Sequence, residues 1–286
     1  KVELNDLFFY GRIKYPITFK HLLFALYLPF ALLLWPIRLM YNVILFTFLL
    51  FMPHWMRPIT KPLLAFGLGI ITNIKDKHNL PGKHNPNSGR IIVSNHLTDY
   101  DPHTMYTVLE DYHVVVKDLF ASVPLVGKVY RKMGAIFVDY SNRDTARQQI
   151  TGALSKTEHP VIIYPEGGLT NGKSGMLMFQ KFVFSLGLGI TPISMRYTSQ
   201  WPIHVDYIGS TFLKNTFWWL IVPYHTYEMK VFPTEYIREG ETDVEFAKRV
   251  QTMIANDLGL EPTDIPMFKK RELFNQIVAA RSAKKD

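Results

Sequence analysis

The stretch RIIVSNHLTDYDP, residues 90–102, decides the fold class. It begins with the apolar run RIIVSN (90–95), which is typical of a strand that is buried on both faces. It ends with Asp101 and Pro102, which favour the start of a helix, because Asp caps a first turn and Pro fits its first position. A buried strand that leads through a short turn into a helix indicates a parallel α/β sheet.

Similar apolar runs follow along the chain, and segments with helical spacing separate them. We predict further strands at HVVVK (113–117), AIFVD (135–139), PVIIYP (160–165), ITPISMRY (190–197) and YEMKVF (227–232). We predict helices over 102–111, 143–156 and 243–258. The alternation predicts an α/β fold with a mostly parallel sheet flanked by helices.

Composition limits the classes of function. The 286 residues are 48% hydrophobic and 20% charged, which is enough apolar material for a sizeable core. The absence of cysteine excludes a disulfide framework, thiolate metal sites and a cysteine nucleophile. A net charge of +8 favours anionic partners. Because the basic residues are scattered and not interleaved with stacking aromatics, nucleic acid is not an expected partner.

The N-terminal quarter predicts attachment to a membrane. Segment 22–53 contains a single charged residue, Arg38. As one helix it would be about 48 Å long, well beyond a hydrocarbon core of ~30 Å. Because Pro29 and Pro36 interrupt it, we predict a re-entrant hairpin. Its two arms would be 22–35 and 39–53. A kinked single span and a buried hairpin in the protein core are the alternatives.

The remaining segments complete the domain organisation. Residues 54–74 combine aromatic and basic residues with an apolar run, which is typical of a segment at the membrane interface. The polar, turn-rich stretch 76–90 indicates a boundary. We therefore predict a membrane-anchoring part (1–75), an α/β domain (76–262) and a basic tail (263–286) that forms a surface helix.

His96 and Asp101 are the candidate catalytic residues. His96 lies in the predicted turn after a strand, where sites of open α/β sheets form, and Asp101 lies at the following helix start. The turn can bring the imidazole and the carboxylate together, which would make His96 a general base. Since the chain has no cysteine and no G-x-S-x-G motif, the nucleophile would come from the substrate. In the alternative interpretation, Asp101 only caps the helix and His96 only fills the turn.

Two further segments follow predicted strands. In YPEGGLTNGK (164–173), Gly167 and Gly168 would bring backbone amides close to an oxyanion or phosphate, Glu166 would bind a substrate hydroxyl, and Lys173 would meet a phosphate. In GAIFVDYSNR (134–143), Arg143 is a candidate phosphate ligand. An ordinary glycine turn and a surface arginine are the alternatives.

Taken together, four motifs over about 85–235 resemble those of the glycerophospholipid acyltransferase family, which includes lysophospholipid and 1-acylglycerol-3-phosphate acyltransferases. The matching residues are Asn95, His96 and Asp101 (N-H-x-x-x-x-D), Gly134, Ile136 and Phe137 (G-x-I-F-x-x-R), Pro165, Glu166 and Gly167 (F-P-E-G-T-R) and Pro192 (a strand with Pro). Within the family, the chain looks most like the ancient ubiquitous protein branch, and next like glycerol-3-phosphate acyltransferases of the endoplasmic reticulum.

The resemblance implies a membrane-bound enzyme. His96, oriented by Asp101, would take the proton from the hydroxyl of a glycerol 3-phosphate or lysophospholipid, and that oxygen would attack the thioester of acyl-CoA. Asn95 would contact substrate. Acyl-CoA would be a substrate, and neither a cofactor nor a metal is expected. The expected location is the endoplasmic reticulum membrane or a lipid droplet, with the globular domain facing the cytosol.

Departures from the motifs keep a second function open. Tyr140 stands where the second motif usually has Arg, and Gly168 and Leu169 stand where the third usually has Thr and Arg. These changes concern phosphate recognition and leave His96 and Asp101 intact. The alternative is a catalytically weak or inactive acyltransferase fold that serves as a membrane scaffold, an adaptor, or a subunit of a lipid-handling or degradation complex with protein partners.

Overall fold

The computed structural model describes residues 1–81, 89–109, 112–139, 142–157 and 159–283. Its helices are α1 (Phe19–Phe51), α2 (Arg57–Leu68), α3 (Asp101–Val108), α4 (Val126–Lys132), α5 (Arg143–Leu154), α6 (Phe212–Ile221), α7 (Asp243–Leu258) and α8 (Met267–Ser282). Its strands are β1 (Ile70–Lys75), β2 (Ile91–Ser94), β3 (His113–Lys117), β4 (Ile136–Val138), β5 (Val161–Ile163), β6 (Gly175–Met176), β7 (Ile190–Thr198), β8 (His225–Val231) and β9 (Glu261–Pro262).

Seven strands form one sheet in the order β1-β8-β7-β2-β5-β3-β4. Only β7 and β8 pair antiparallel, and the other neighbours are parallel. The prediction of a mostly parallel α/β sheet flanked by helices is therefore confirmed. Each of the six predicted strands is present within one or two residues, and so are the helices predicted over 143–156 and 243–258. The helix predicted over 102–111 is also present, but it ends three residues earlier, at Val108.

Alternate residues of the central strands face two separate apolar layers, as the pleat of a strand requires. Ile92 on β2 packs with residues of α1, α2, α3, α4 and α6. Ile91 and Val93, on the other face of the same strand, pack with α5 and α7. The sheet is thus covered on both sides. This arrangement explains why its strands read as continuous apolar runs.

The N-terminal apolar segment is one continuous helix and not a hairpin that turns near Pro36. Pro29 and Pro36 both lie inside α1. They are seven residues apart, so they share one face of the helix, and both are exposed. The helix is held by the globular domain, where the Arg38 guanidinium donates to the carbonyl oxygens of Leu220 (2.5 Å) and Val222 (2.7 Å) beside the end of α6. Packing therefore overrides the helix-breaking tendency of proline.

The chain reverses after α1, at residues 52–56, and α2 runs back beside it. The side-chain amide of Asn42 on α1 donates to the Gly67 carbonyl oxygen on α2 at 3.0 Å.

The predicted interfacial segment 54–74 also differs from its prediction, because its end forms the strand β1. That strand pairs with β8. The sheet therefore begins before the predicted boundary at residue 76, and much of the boundary stretch (82–88) lies outside the described residues.

Candidate active site

The two predicted motifs meet because their strands are parallel neighbours. The register pairs Val93 of β2 with Ile163 of β5. Three residues beyond each of these positions, the same register brings His96 opposite Glu166. The His96 main-chain N–H donates to Glu166 Oε1 at 2.9 Å. The turns that follow β2 and β5 are thus joined at the carboxyl edge of the sheet, where sites of open α/β folds form.

His96 and Asp101 form a hydrogen-bonded pair across the turn between β2 and α3. His96 Nδ1 lies 2.8 Å from Asp101 Oδ2. The Asp101 side chain is fully buried, whereas the His96 side chain is 20% exposed. A carboxylate on Nδ1 fixes the orientation and tautomer of the imidazole and leaves Nε2 as the nitrogen that can face a ligand. The structure therefore brings the two predicted catalytic residues together.

Other donors hold the Asp101 carboxylate in place. Its Oδ2 accepts the Leu97 amide at 2.6 Å and the Thr98 amide at 3.0 Å. Its Oδ1 accepts the hydroxyl groups of Thr98 (2.8 Å) and Tyr227 (3.1 Å). Tyr227 comes from β8, far along the chain. Sequence reasoning missed it, because no motif in this chain marks a tyrosine of β8 as part of a site.

The ring of Tyr164 packs against one face of the His96 imidazole. The rings of His96 and Tyr164 are stacked, with centroids 4.2 Å apart and planes inclined by 16°. Burial raises the pKa of the Tyr164 phenol well above its usual value, which keeps the ring neutral. The imidazole is thus fixed by Asp101 at its edge and by Tyr164 at its face.

Glu166 supports the turns and does not point to solvent. It is fully buried. Its Oε1 accepts the His96 amide and its Oε2 accepts the Leu177 amide, both at 2.9 Å. Burial raises the pKa of Glu166 to about 8, and these two hydrogen bonds oppose the shift. The predicted contact with a substrate hydroxyl is therefore replaced by contacts with two main-chain amides.

Asn95 also has a different role from the predicted one. It is fully buried, and its side-chain amide donates to the Met195 carbonyl oxygen (2.7 Å) and accepts the Met195 amide (2.8 Å). Asn95 thus extends the pairing of β2 with β7 beyond the end of the strand. It therefore holds the residue before His96, and the substrate contact predicted for Asn95 stays a prediction.

The glycine turn is closed by a hydrogen bond of its own, and Gly167 is exposed. The Gly167 amide donates to the Tyr164 carbonyl oxygen at 3.0 Å, so it closes the turn and does not face a ligand, and its φ of 72° explains why glycine stands there. Gly168 lies under α8, where an added Cβ would be 2.8 Å from Met267 Sδ. The Lys173 ammonium lies 5.3 Å from the ring centroid of Phe9, on the N-terminal segment.

The second predicted phosphate ligand is only partly described. Arg143 begins α5, where Asn142 caps the helix by accepting the amides of Asp144 and Thr145. The side chain of Arg143 and the whole of Tyr140 lie outside the described residues. The phosphate-binding role predicted for Arg143 stays a prediction.

Sequence reasoning missed Lys270 on α8. Its ammonium donates to the Leu169 carbonyl oxygen at 2.5 Å, within the glycine turn. The side chain is half-buried. Burial lowers the pKa of Lys270 to about 8, and the carboxylates of Asp206 and Glu166 oppose the shift. The missed signal is the basic start of the C-terminal tail, which was predicted to be a solvated surface helix.

The part of the chain that the structure describes contains no group of three or more His, Asp or Glu side chains arranged to hold a metal ion.

The exposed side of α1 is strongly apolar. α1 is the one described helix that is long and apolar enough to cross a membrane, and 11% of its most apolar window is buried. Yet its buried residues are spread along its length, from Phe24 through Ala31 and Leu45 to Leu49. The helix therefore lies along the globular domain and presents its opposite side outward. The exposed large apolar side chains of α1 include Phe19, Leu26, Phe30, Leu33, Ile37, Ile44, Phe48 and Phe51, and Phe66 on α2 adds to them.

Comparisons with known proteins agree with this architecture. A family model described as Acyltransferase matches residues 72–196. The lipid droplet-regulating VLDL assembly factor AUP1 of Xenopus laevis is 26% identical over 86% of this chain and 59% of its own length. Human lysophosphatidylcholine acyltransferase 2 is 26% identical over 73% of this chain and 40% of its own. The chain thus spans about half the length of these relatives.

A solved structure shows the same fold. The 1-acyl-sn-glycerophosphate acyltransferase PlsC from Thermotoga maritima superposes with a TM-score of 0.55 and 17% identity. The match covers 84% of this chain and 95% of that protein. It therefore includes more of the chain than the family model.

Proposed function

Because this chain belongs to the glycerophospholipid acyltransferase family, we propose that it transfers an acyl group from acyl-CoA to a hydroxyl of glycerol 3-phosphate or a lysophospholipid. The observation that carries the proposal is the pair formed by partly exposed His96 and fully buried Asp101, with 2.8 Å between Nδ1 and Oδ2. A histidine held in this way acts as a general base towards a substrate hydroxyl.

The proposed reaction has two steps at one carbon atom. His96 Nε2 takes the proton from the acceptor hydroxyl as its oxygen attacks the thioester carbonyl carbon. A C–O bond forms, and the carbonyl oxygen becomes an oxyanion that backbone amides at the edge of the sheet stabilise. The C–S bond then breaks, coenzyme A leaves as a thiolate, and the imidazolium returns the proton to it. Asp101 stabilises the imidazolium between the steps.

The apolar side of α1 supports attachment to a membrane. We propose that α1 lies in one leaflet with its axis parallel to the membrane plane, since its other side is fixed to the domain along its whole length. Trp55, exposed between α1 and α2, suits the interface. A site held at this surface would meet acyl-CoA and lysolipids at high local concentration. The endoplasmic reticulum and lipid droplets, with the domain facing the cytosol, are the proposed locations.

A second candidate function is a membrane scaffold with little or no catalysis. The name of the AUP1 relatives describes an assembly factor. In this chain, Gly168 and Leu169 also depart from the third motif, and Gly168 lies under α8. Under this proposal the fold would be kept for docking on the membrane and for binding protein partners.

One experiment separates the two functions. Membranes are extracted at alkaline pH, the chain is purified in detergent from the pellet, and acyl transfer from labelled acyl-CoA is measured with a panel of glycerol 3-phosphate and lysophospholipids. We expect transfer by the wild type and a loss of roughly 10²–10⁴-fold in His96→Ala. His159→Ala, which changes an exposed histidine, is the control.

The outcomes are distinct. Equal activity in the wild type and His96→Ala would contradict the mechanism. A folded wild type with no activity on any acceptor would favour the scaffold. Release of the chain into the alkaline supernatant would contradict the membrane attachment.

A further inference from the structure

The C-terminal helix α8 touches the candidate active site although it lies outside the residues matched by the family model. Lys270 donates to the carbonyl oxygen of Leu169, in the turn whose Glu166 holds the His96 amide. On another side, the Lys270 ammonium lies 5.1 Å from the ring centroid of Phe8. An ammonium group has three N–H donors, and the bond to Leu169 uses one of them.

The turn and the helix fit each other closely. A Cβ built on Gly168 would be 2.8 Å from Met267 Sδ and 3.2 Å from Lys270 Nζ. A side chain at residue 168 would therefore require the ends of the Met267 and Lys270 side chains to move. The neighbouring Leu169 offers its carbonyl oxygen to the lysine and has no charged group of its own. Lys270 of α8 brings a positive charge to this turn in addition to that of Lys173.

Lys270 interacts electrostatically with acidic residues, two of which lie in the turns around His96. Glu166, Asp99 and Asp206 all interact with it electrostatically. Glu166 and Asp99 belong to the two turns that carry the site, and the Asp99 carboxylate is fixed by the side-chain amide of Asn215 at 3.0 Å. An anion on Lys270 would therefore lie beside the turn that presents the imidazole.

Asp206 adds a polar atom with no partner. Its Oδ2 is buried and has no hydrogen-bond partner among the described residues. Burial raises the pKa of Asp206 to about 7, which favours the protonated form that can donate a hydrogen bond. The Lys270 ammonium interacts electrostatically with this carboxyl group, and both groups have N–H or O–H donors that a phosphate can accept.

We propose that Lys270 binds the phosphate group of the acceptor, with Asp206 as a second donor, so that α8 completes the substrate site. This inference rests on the proposed function, because it places a glycerol 3-phosphate or lysophosphatidate with its hydroxyl towards His96. It assigns the phosphate contact to a residue of the C-terminal tail, outside the four motifs.

Equilibrium binding tests this role separately from catalysis. Binding of labelled glycerol 3-phosphate is measured in detergent with the 286-residue chain, which carries His96→Ala so that no turnover occurs. We expect Lys270→Gln to weaken binding by roughly ten- to a hundredfold, as for the loss of a charge-assisted hydrogen bond, and Lys270→Arg to stay within a few-fold. Lys269→Gln is the matched control, because Lys269 is exposed on the same helix and pairs with Glu272.

Four ligands identify which phosphate group Lys270 binds. We expect Lys270→Gln to weaken the binding of glycerol 3-phosphate and of inorganic phosphate to the same extent. The binding of coenzyme A and of monoacylglycerol should stay unchanged. Equal glycerol 3-phosphate affinity in Lys270→Gln and Lys269→Gln, no binding by the parent protein, or an effect on coenzyme A alone would each overturn the proposal. Circular dichroism of Lys270→Gln and retained binding in Lys270→Arg exclude unfolding as the cause of the loss.

The inference and the proposed function can fail separately. A wild type that binds glycerol 3-phosphate through Lys270 but transfers no acyl group supports the inference and contradicts the function. A wild type that transfers acyl groups with an unchanged KM for glycerol 3-phosphate in Lys270→Gln supports the function and contradicts the inference.

Discussion

The turns after β2 and β5 face each other at the same edge of the sheet, yet they are built in opposite ways. The turn after β2 is held largely by its own residues, since Asp101 accepts hydrogen bonds from His96, Leu97 and Thr98, three to five positions away. The turn after β5 depends on distant residues: Lys270, about one hundred positions later, holds the Leu169 carbonyl oxygen. The His96–Asp101 pair is encoded locally, whereas the contact between α8 and the turn after β5 is formed by the fold.

The largest effect is expected from breaking the local turn. Asp101→Asn replaces a carboxylate, which only accepts hydrogen bonds, by an amide with one acceptor oxygen and one donor NH2 group. Two main-chain amides and His96 Nδ1 would then compete for that single oxygen. We expect acyl transfer to fall by roughly 10²–10⁴-fold, because the imidazole loses its fixed tautomer. Nitrogen chemical shifts of His96 would report the tautomer directly, even in the absence of turnover.

Asp144→Asn is the control for this change. Asp144 also lies in the first turn of a helix, α5, but it is exposed. It should leave activity and the His96 nitrogen shifts unaltered. An Asp101→Asn variant with wild-type rate and wild-type shifts would show that Asp101 only caps α3.

A smaller effect is expected from breaking the turn that depends on α8. Gly168→Thr places a Cβ 2.8 Å from Met267 Sδ, so the thioether or the whole helix must move. We expect a loss of about 1–3 kcal/mol in the free energy of unfolding, typical of overpacking, and weaker binding of glycerol 3-phosphate. Chemical denaturation and equilibrium binding measure the two effects.

A double mutant sharpens this test. Met267→Ala removes the clashing atoms, so it should recover part of the stability lost in Gly168→Thr. Gly152→Thr on α5 is the control, because a Cβ there meets nothing within 4 Å. Additive losses in the double mutant would show that the turn and α8 do not depend on each other.

The same contrast explains what could be predicted from the sequence. The strand β2, its turn and the start of α3 are encoded within thirteen residues, so the pairing of His96 with Asp101 follows from spacing and helix-start preferences. The roles of Asn95 and Glu166 could not be deduced in this way. Both residues bond to main-chain groups, and the sequence does not show that Asn95 faces Met195 on β7.

The membrane-anchoring part shows the same limit. The length of the apolar run at 22–53 indicates helical structure, and Pro29 and Pro36 suggest a turn within it. Contacts with α6, through Arg38 and the carbonyl oxygens of Leu220 and Val222, keep the helix continuous. No local sequence pattern indicates that these carbonyl oxygens are the partners of Arg38.

The smallest effect concerns the charge of Lys270 and its dependence on pH. Because burial lowers the pKa of this lysine to about 8, its ammonium form predominates at pH 7 and its neutral form at pH 9. The neutral amine has lost the charge that attracts phosphate, so binding of glycerol 3-phosphate should weaken by about tenfold over this range. The phosphate itself is a dianion throughout.

Neighbouring groups change the size of this effect but not its sign. Glu166 and Asp206, whose pKa values burial raises to about 8 and about 7, also lose protons on this rise in pH and add negative charge around the ligand, while Asp99 and Lys117 complete the charged surroundings. Lys270→Arg isolates the lysine, because a guanidinium stays charged to far higher pH. Its affinity should therefore fall less steeply from pH 7 to pH 9 than that of the wild type. Parallel curves would mean that the carboxyl groups alone produce the pH dependence and that α8 contributes no titrating cation to the site.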